Sequence, residues 1–303
     1  PVLQSGTYWY HSHSGYQEQT GMFGALIIDP VEPEPFRYER DYVVLLSDWS
    51  DTAPDDIYAT LKRDSHYYNR QQRTVGDLLR ELRANGLGAT VDDRAMWNRM
   101  RMNDRDIADV TGATYTFLLN GTTPDDNWTG LFNKGERVRL RIINAAAMTI
   151  FDVRIPGLQM KVVAADGQYV EPVSVDEFRI GVAETYDVIV EPREGAYTLF
   201  AQTIDRSGYA RGTLAERPGL QAAVPALDPP IVLTHADMGM EHSGGHAAGH
   251  TSPSPAASVP DHAAMDHSTM GNSASGAMDH AAVDHSTMNH DASGLLDHSA
   301  HTA

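Results

Sequence analysis

The sequence predicts an all-β protein: antiparallel sandwiches interrupted by one helical insertion and followed by a low-complexity tail. Three observations predict it. Short runs of β-branched and aromatic residues recur between turn dipeptides such as Asn120-Gly121, Pro156-Gly157 and Asp166-Gly167. Between about residues 54 and 110 that rhythm gives way to apolar residues at helical spacing. From residue 218 onward the apolar patterning fades, and after residue 234 Ala, Ser, Gly, His, Met and Asp dominate with no aromatic residue at all.

Taken in order, residues 1–30 read as the C-terminal part of a first β domain. Tyr8-Trp9-Tyr10-His11-Ser12-His13 is one strand candidate, and Gly24-Ala25-Leu26-Ile27-Ile28, stopped by Asp29-Pro30, is a second. The linker 31–35 carries two prolines in five residues, which makes it extended and stiff. Residues 36–217 then read as a complete second domain. Its strands are expected at Tyr42–Trp49, Thr114–Leu119, Arg137–Asn144, Phe151–Ile155, Lys161–Ala165, Asp176–Ile180, Tyr186–Val190 and Tyr197–Gln202. Within the insertion, Thr74 is a helix cap before a run to Arg83, and Arg94–Met102 is a second helix. The acidic pairs Asp55-Asp56, Asp92-Asp93 and Asp125-Asp126 suit solvated turns and helix starts.

Charge and composition exclude several functions. The net charge of -18 opposes nucleic acid, which calls for clustered Lys and Arg, and favours cations. No Lys or Arg follows Arg217, while nine acidic residues do, so half the net charge lies in the tail. Absence of cysteine removes disulfides, thiolate metal sites and cysteine nucleophiles, and with them any blue copper site in this chain. No apolar stretch of about 18 residues is present to insert into a membrane. The chain opens on Pro1 with no signal-peptide pattern, so the natural N-terminus is expected upstream.

Two features carry metal chemistry. His11 and His13 at i and i+2 of a strand share one face, with the rings about 6–7 Å apart from the strand rise. Each can hold a different ion of one cluster, and neutral imidazole suits copper, zinc, iron and nickel; the plainer reading is a surface histidine pair. The tail 218–303 is the second feature, expected to be disordered without metal because it cannot offset its ordering entropy. It holds eleven of the fourteen histidines and half the methionines: His235, Met238, Met240, His242, His246, His250, His262, Met265, His267, Met270, Met278, His280, His285, Met288, His290, His298 and His301. Thioether sulfur selects Cu(I) and imidazole takes either oxidation state, so several weak exchangeable copper sites are expected there. Met96, Met100 and Met102 suit core filling more than copper docking, and His66 reads as structural or surface.

The run Trp9-Tyr10-His11-Ser12-His13, followed by Gly21-Met22-Phe23-Gly24-Ala25-Leu26-Ile27-Ile28, resembles the second copper-ligand motif of the multicopper oxidases. Leu46-Ser47-Asp48-Trp49, Met96–Met102, Asn127-Trp128-Thr129-Gly130, Val163–Gln168 and the Met-Asp-His repeats resemble the bacterial copper-resistance protein A branch. The resemblance implies cupredoxin-like Greek-key β-sandwiches, with a trinuclear copper cluster between the first and third domains. It implies a periplasmic enzyme that oxidises Cu(I), or phenols, and reduces dioxygen to water. His11 and His13 would bind the type-3 copper pair, one ion each; the other ligand motifs are not in this chain, which alone is expected to be inactive. The alternative is a non-catalytic copper-sequestering or delivery protein acting through its tail. A β-sandwich without metal, used for adhesion or structure, is the weakest reading.

Overall fold

The computed structural model describes residues 3–239. The expected tail positions from Met240 to His301 lie outside the described residues.

Strand β1 (Gly6–His11) pairs antiparallel with β2 (Phe23–Ile28) in a two-stranded sheet. Residues 36–217, the expected second domain, form a sandwich. One sheet of six strands holds β3 (Arg40–Trp49), β4 (Thr116–Leu119), β6 (Val138–Asn144), β8 (Met160–Ala165), β9 (Gln168–Val175) and β11 (Thr185–Val190), in the order β4-β3-β6-β11-β8-β9. The other holds β5 (Trp128–Leu131), β7 (Phe151–Arg154), β10 (Glu177–Ile180), β12 (Ala196–Thr203) and β13 (Tyr209–Ala215), in the order β10-β7-β12-β13-β5. Most pairs are antiparallel, as expected; β3–β6 and β13–β5 are parallel, because the chain crosses over between them.

The turn dipeptides sit where their chemistry requires. Asp166 and Gly167 both adopt positive φ (47° and 74°) and join β8 to β9 in a two-residue hairpin. Inside the sandwich, Leu46, Leu140 and Val188 of one sheet share a core with Val153, Leu199 and Leu214 of the other. Each such buried side chain contributes about 1.5–3 kcal/mol relative to exposure.

Three strands escape the sequence pattern for physical reasons. β9 is exposed along most of its length and contains Pro172, as an edge strand can. β5 and β13 are interrupted by Gly130 and Gly212, whose missing side chains leave room for the Trp128 ring.

The insertion carries α1 (Pro54–Arg63) and α2 (Val75–Arg99). Proline in the first turn, with Asp55 and Asp56 beside it, starts α1 although Ala53 offers no side-chain cap. Thr74 caps α2 as expected: its hydroxyl accepts from the Asp77 amide at 3.2 Å and Asp77 accepts from the Thr74 amide at 2.8 Å. That backbone hydrogen bond, then the Thr74 hydroxyl, hold the Asp77 carboxyl well below the usual range. At Gly86 the backbone turns to φ 79° and ψ 170°, which breaks the helix, and Arg94 reaches back to Glu81 at 2.7 Å across the break. The second helical piece therefore starts earlier than the expected Arg94 and ends at Arg99. Asp93, expected at a helix start, lies within it and pairs with Arg73 at 3.0 Å.

Residues 218–239, expected to open the disordered tail, run instead along the second domain. Ala223 accepts from the Thr198 hydroxyl at 3.0 Å, Asp228 pairs with Arg154 at 2.8 Å, and the Leu233 amide donates to the Asp104 carbonyl at 2.7 Å. Prolines at 225, 229 and 230 keep this stretch extended, so little entropy is lost on laying it down.

Candidate metal centre

The rings of Trp9, His11 and His13 line one side of β1 and its continuation. Trp9 and His11 stack with centroids 4.2 Å apart and planes 9° from parallel. His11 and His13 follow at 4.5 Å and 42°. The two imidazoles are closer than the strand rise alone predicts. The reason is local: β1 ends at His11, one further ladder bond joins the Ser12 amide to the Met22 carbonyl at 3.0 Å, and His13 lies past the strand end. Its ring is free to lean toward His11.

A closed loop, residues 12–22, supports the pair. The Ser12 hydroxyl donates to Gln17 at 2.6 Å, the Gln17 amide donates to the Ser14 carbonyl at 3.3 Å, and the Met22 amide donates to the Gln17 carbonyl at 2.8 Å. The loop brings Glu18 back onto His11, with Oε2 3.0 Å from Nδ1 and off the N–H axis. Nδ1 is sealed from solvent, while the His11 side chain keeps 26% of its exposure, so the open part of the ring is elsewhere. His13 is exposed. Among the described residues, no group of three or more His, Cys, Asp or Glu is gathered to hold a metal ion. Two imidazoles side by side, one with Nδ1 covered by a carboxylate, are of a chemistry that can ligate copper.

The next residue, Gln19, ties this loop to the second domain: the Tyr115 hydroxyl donates to Gln19 Oε1 at 2.6 Å. Tyr115 is buried, and burial, then Asp48, push its hydroxyl far above the ordinary value, so it remains a donor. Glu18 and Gln19 also line a cavity of about 200 Å³ with Tyr16, Tyr58, Tyr115 and Met148.

A second contact between the β1–β2 hairpin and the sandwich is ionic. Arg139 is fully buried, with Nη2 2.6 Å from Asp187 and Nη1 2.9 Å from Glu34 of the linker. Arg141 pairs with Asp41 at 2.7 Å and donates to the Thr7 hydroxyl at 3.0 Å, and Thr7 donates to Asp187 at 2.7 Å. Burial alone would lower the Arg139 guanidinium; Asp187, Glu34 and Asp41 more than offset it and hold it above its ordinary value. Gly6 meets Gly167 so closely that a Cβ on Gly6 would lie 2.6 Å from the Gly167 carbonyl oxygen.

The other candidates fall in two places. His66, read as structural or surface, is half-buried: Nε2 lies 3.0 Å from the Arg101 carbonyl and Nδ1 3.2 Å from Asp106, whose carboxyl is pushed up by burial. His235 stacks on buried Trp97 at 5.0 Å, with Nε2 3.6 Å from Asp93, and Met238 is exposed nearby in sequence. Met96, Met100 and Met102 are half-buried around Trp97. Sequence reading gave Glu18, Gln19 and Tyr115 no role; nothing in a Gly-bounded polar loop separates a ring-facing carboxylate from a solvated one.

Comparison with known proteins decides the family. The pattern described as "Multicopper oxidase" matches residues 40–219, and a second pattern of the same description matches residues 1–33. The chain belongs to the multicopper oxidase family. It is 60% identical to copper resistance protein A of Escherichia coli over 270 residues, 89% of this chain and 42% of that protein. It is 62% identical to copper resistance protein A of Pseudomonas syringae pv. tomato over 239 residues, 79% of this chain and 39% of that protein. The chain thus spans about two fifths of the curated relatives it matches. Among solved structures it resembles Fet3p, a multicopper oxidase that functions in iron import, with TM-score 0.51 and 21% identity over 75% of this chain and 36% of that one. This likeness supports the cupredoxin-like fold of the sandwich. No described helix is long and apolar enough to cross a membrane.

Proposed function

We propose that the chain is part of a periplasmic copper-resistance oxidase that takes electrons from Cu(I), or from phenols in its place, and delivers them to dioxygen to give water. The observation that carries this reading is the His11/His13 pair, two imidazoles 4.5 Å apart on one side of an aromatic strand. His11 and His13 would hold the type-3 copper pair, one ion each, with the type-1 and type-2 ligands supplied by segments outside this chain. When bound, the copper cluster supplies the electron storage that dioxygen reduction requires. The work of these residues is to ligate and orient: Trp9 fixes the plane of the His11 ring by stacking, and the 12–22 loop seals Nδ1. Cu(I) arrives as substrate, and the acidic balance of -18 favours its approach. By itself the chain, with two cluster ligands and no cysteine, is not expected to turn over.

The test is a longer protein carrying this sequence together with the remaining ligand motifs. It is expected to show blue absorbance and to consume oxygen with Cu(I), and the double substitution His11→Ala/His13→Ala is expected to abolish oxygen consumption. A longer protein that binds copper, retains an intact fold and never consumes oxygen would remove the oxidase reading.

A second reading rests on the tail, where eleven of the fourteen histidines and half the methionines gather. In it the chain sequesters or delivers copper without catalysis. Deleting residues 235–303 is then expected to remove most of the chain's copper capacity. Unchanged copper stoichiometry after that deletion would rule out a copper-binding tail.

A further inference from the structure

Among the described residues no group of three or more His, Cys, Asp or Glu forms around the proposed copper pair, yet the second domain touches the segment that carries it. The line of contact is continuous. Buried Tyr115 donates to Gln19 at 2.6 Å, Gln19 is followed back along the chain by Glu18, and Glu18 lies 3.0 Å from Nδ1 of His11. Stacking on Trp9 at 4.2 Å fixes the plane of the His11 ring but not which way the ring is flipped, nor which nitrogen carries the proton. A carboxylate at Nδ1 settles both: it favours the Nδ1–H tautomer and leaves Nε2 unprotonated, as a metal ligand must be. Nδ1 is sealed from solvent and has no well-aligned hydrogen-bond partner, so Glu18 is the polar group that meets it.

We propose that Glu18 is a positioning residue for His11, and that the second domain sets its place through the Tyr115–Gln19 hydrogen bond. The middle domain would then act on the copper pair at one remove, by holding the loop that orients a ligand. Only the copper arm of the test rests on the function proposed above; the ring orientation does not.

The deciding measurement is made on this chain without metal, by nitrogen-15 NMR of the histidine rings at about pH 8, where an ordinary imidazole is neutral. His11 is expected in the Nδ1–H form. Glu18→Leu is expected to move it to the Nε2–H form that free imidazole side chains prefer. Glu18→Gln, whose amide oxygen can still face Nδ1–H, is expected to retain the original form, and Tyr115→Phe to give a mixture. His13 serves as the internal reference and should not change, and matching amide spectra of the β1–β2 hairpin would show that the variants keep the fold. An unchanged His11 tautomer in Glu18→Leu overturns the proposal, as does an equal shift in His13. In the longer protein, Glu18→Leu is expected to weaken copper retention at the pair about 10–100-fold, the usual cost of losing a carboxylate behind a ligating histidine. If the unsubstituted longer protein holds no copper there, the functional reading falls while the tautomer result stands.

Discussion

The two faces of β6 bury opposite chemistries. Val138, Leu140 and Ile142 point into the sandwich, where each is fully buried among apolar neighbours. Arg139 and Arg141 point the other way and are almost equally buried, at 0% and 3% exposure, beneath the linker and strand β1. The apolar face needs only volume and is indifferent to direction. The charged face needs named partners at fixed places: Asp187, Asp41, Glu34 and Thr7. The lesson is a division of labour, in which the core makes the sandwich and the ionic face fixes the β1–β2 hairpin, with its two histidines, onto it.

Three experiments break or sharpen that contrast. The largest effect is expected from Arg139→Met, which leaves Asp187 and Glu34 without their buried partner and should cost about 3–5 kcal/mol in urea unfolding. Leu140→Ala, one residue along on the apolar face, should cost about 2–5 kcal/mol through the cavity it opens. The two differ in kind, because only Arg139→Met should expose the 12–22 loop and linker to proteolysis before the sandwich unfolds. Equal protection of the loop in both variants would refute the division.

A smaller effect is expected at the insertion, away from both faces. Thr74→Ala removes the cap of α2 and should cost about 1 kcal/mol, with the loss confined to amide exchange in residues of α2 before Gly86. A uniform loss across the sandwich would show that the insertion and the core unfold as one unit.

The most gradual change is with pH. Among the described carboxyls with a resolved shift, Glu39, Asp77, Glu136, Asp152, Asp228 and Asp237 are lowered, and Asp106 alone is raised. A carboxyl held low stabilises the fold above its unfolded value and loses that contribution as pH falls through its folded value. Glu136, held at about 2 by Arg40 and then by the Asn133 amide, loses its contribution between its ordinary 4.5 and that value, and Asp77, held lower still, extends the loss to more acid pH. Stability should therefore fall from about pH 4.5 downward, and Glu136→Gln should flatten part of that slope. A midpoint denaturant concentration that stays constant between pH 5 and pH 3 would contradict it.

Much of the molecule was legible in its residues. Turn dipeptides, β-branched runs, the Thr74 cap and the His11-Ser12-His13 spacing are local signals, readable because side-chain period and backbone preference act over a few residues. The tail's composition likewise carries the proposal of metal affinity, because it is a signal of residue type and not of pairing. What local signals could not supply was pairing at a distance. The parallel β3–β6 and β13–β5 pairs, the burial of Arg139 and Arg141, and the placing of residues 218–239 against the second domain all depend on partners far along the chain. Glu18 is the sharpest case: its identity and its seven-residue distance from His11 are plain in the sequence, but only loop closure and the Tyr115–Gln19 contact turn a solvated acid into a carboxylate facing an imidazole. The chain alone fixed which chemistries are present; tertiary structure decided which of them meet, because that depends on contacts whose energy exists only once distant segments have been brought together.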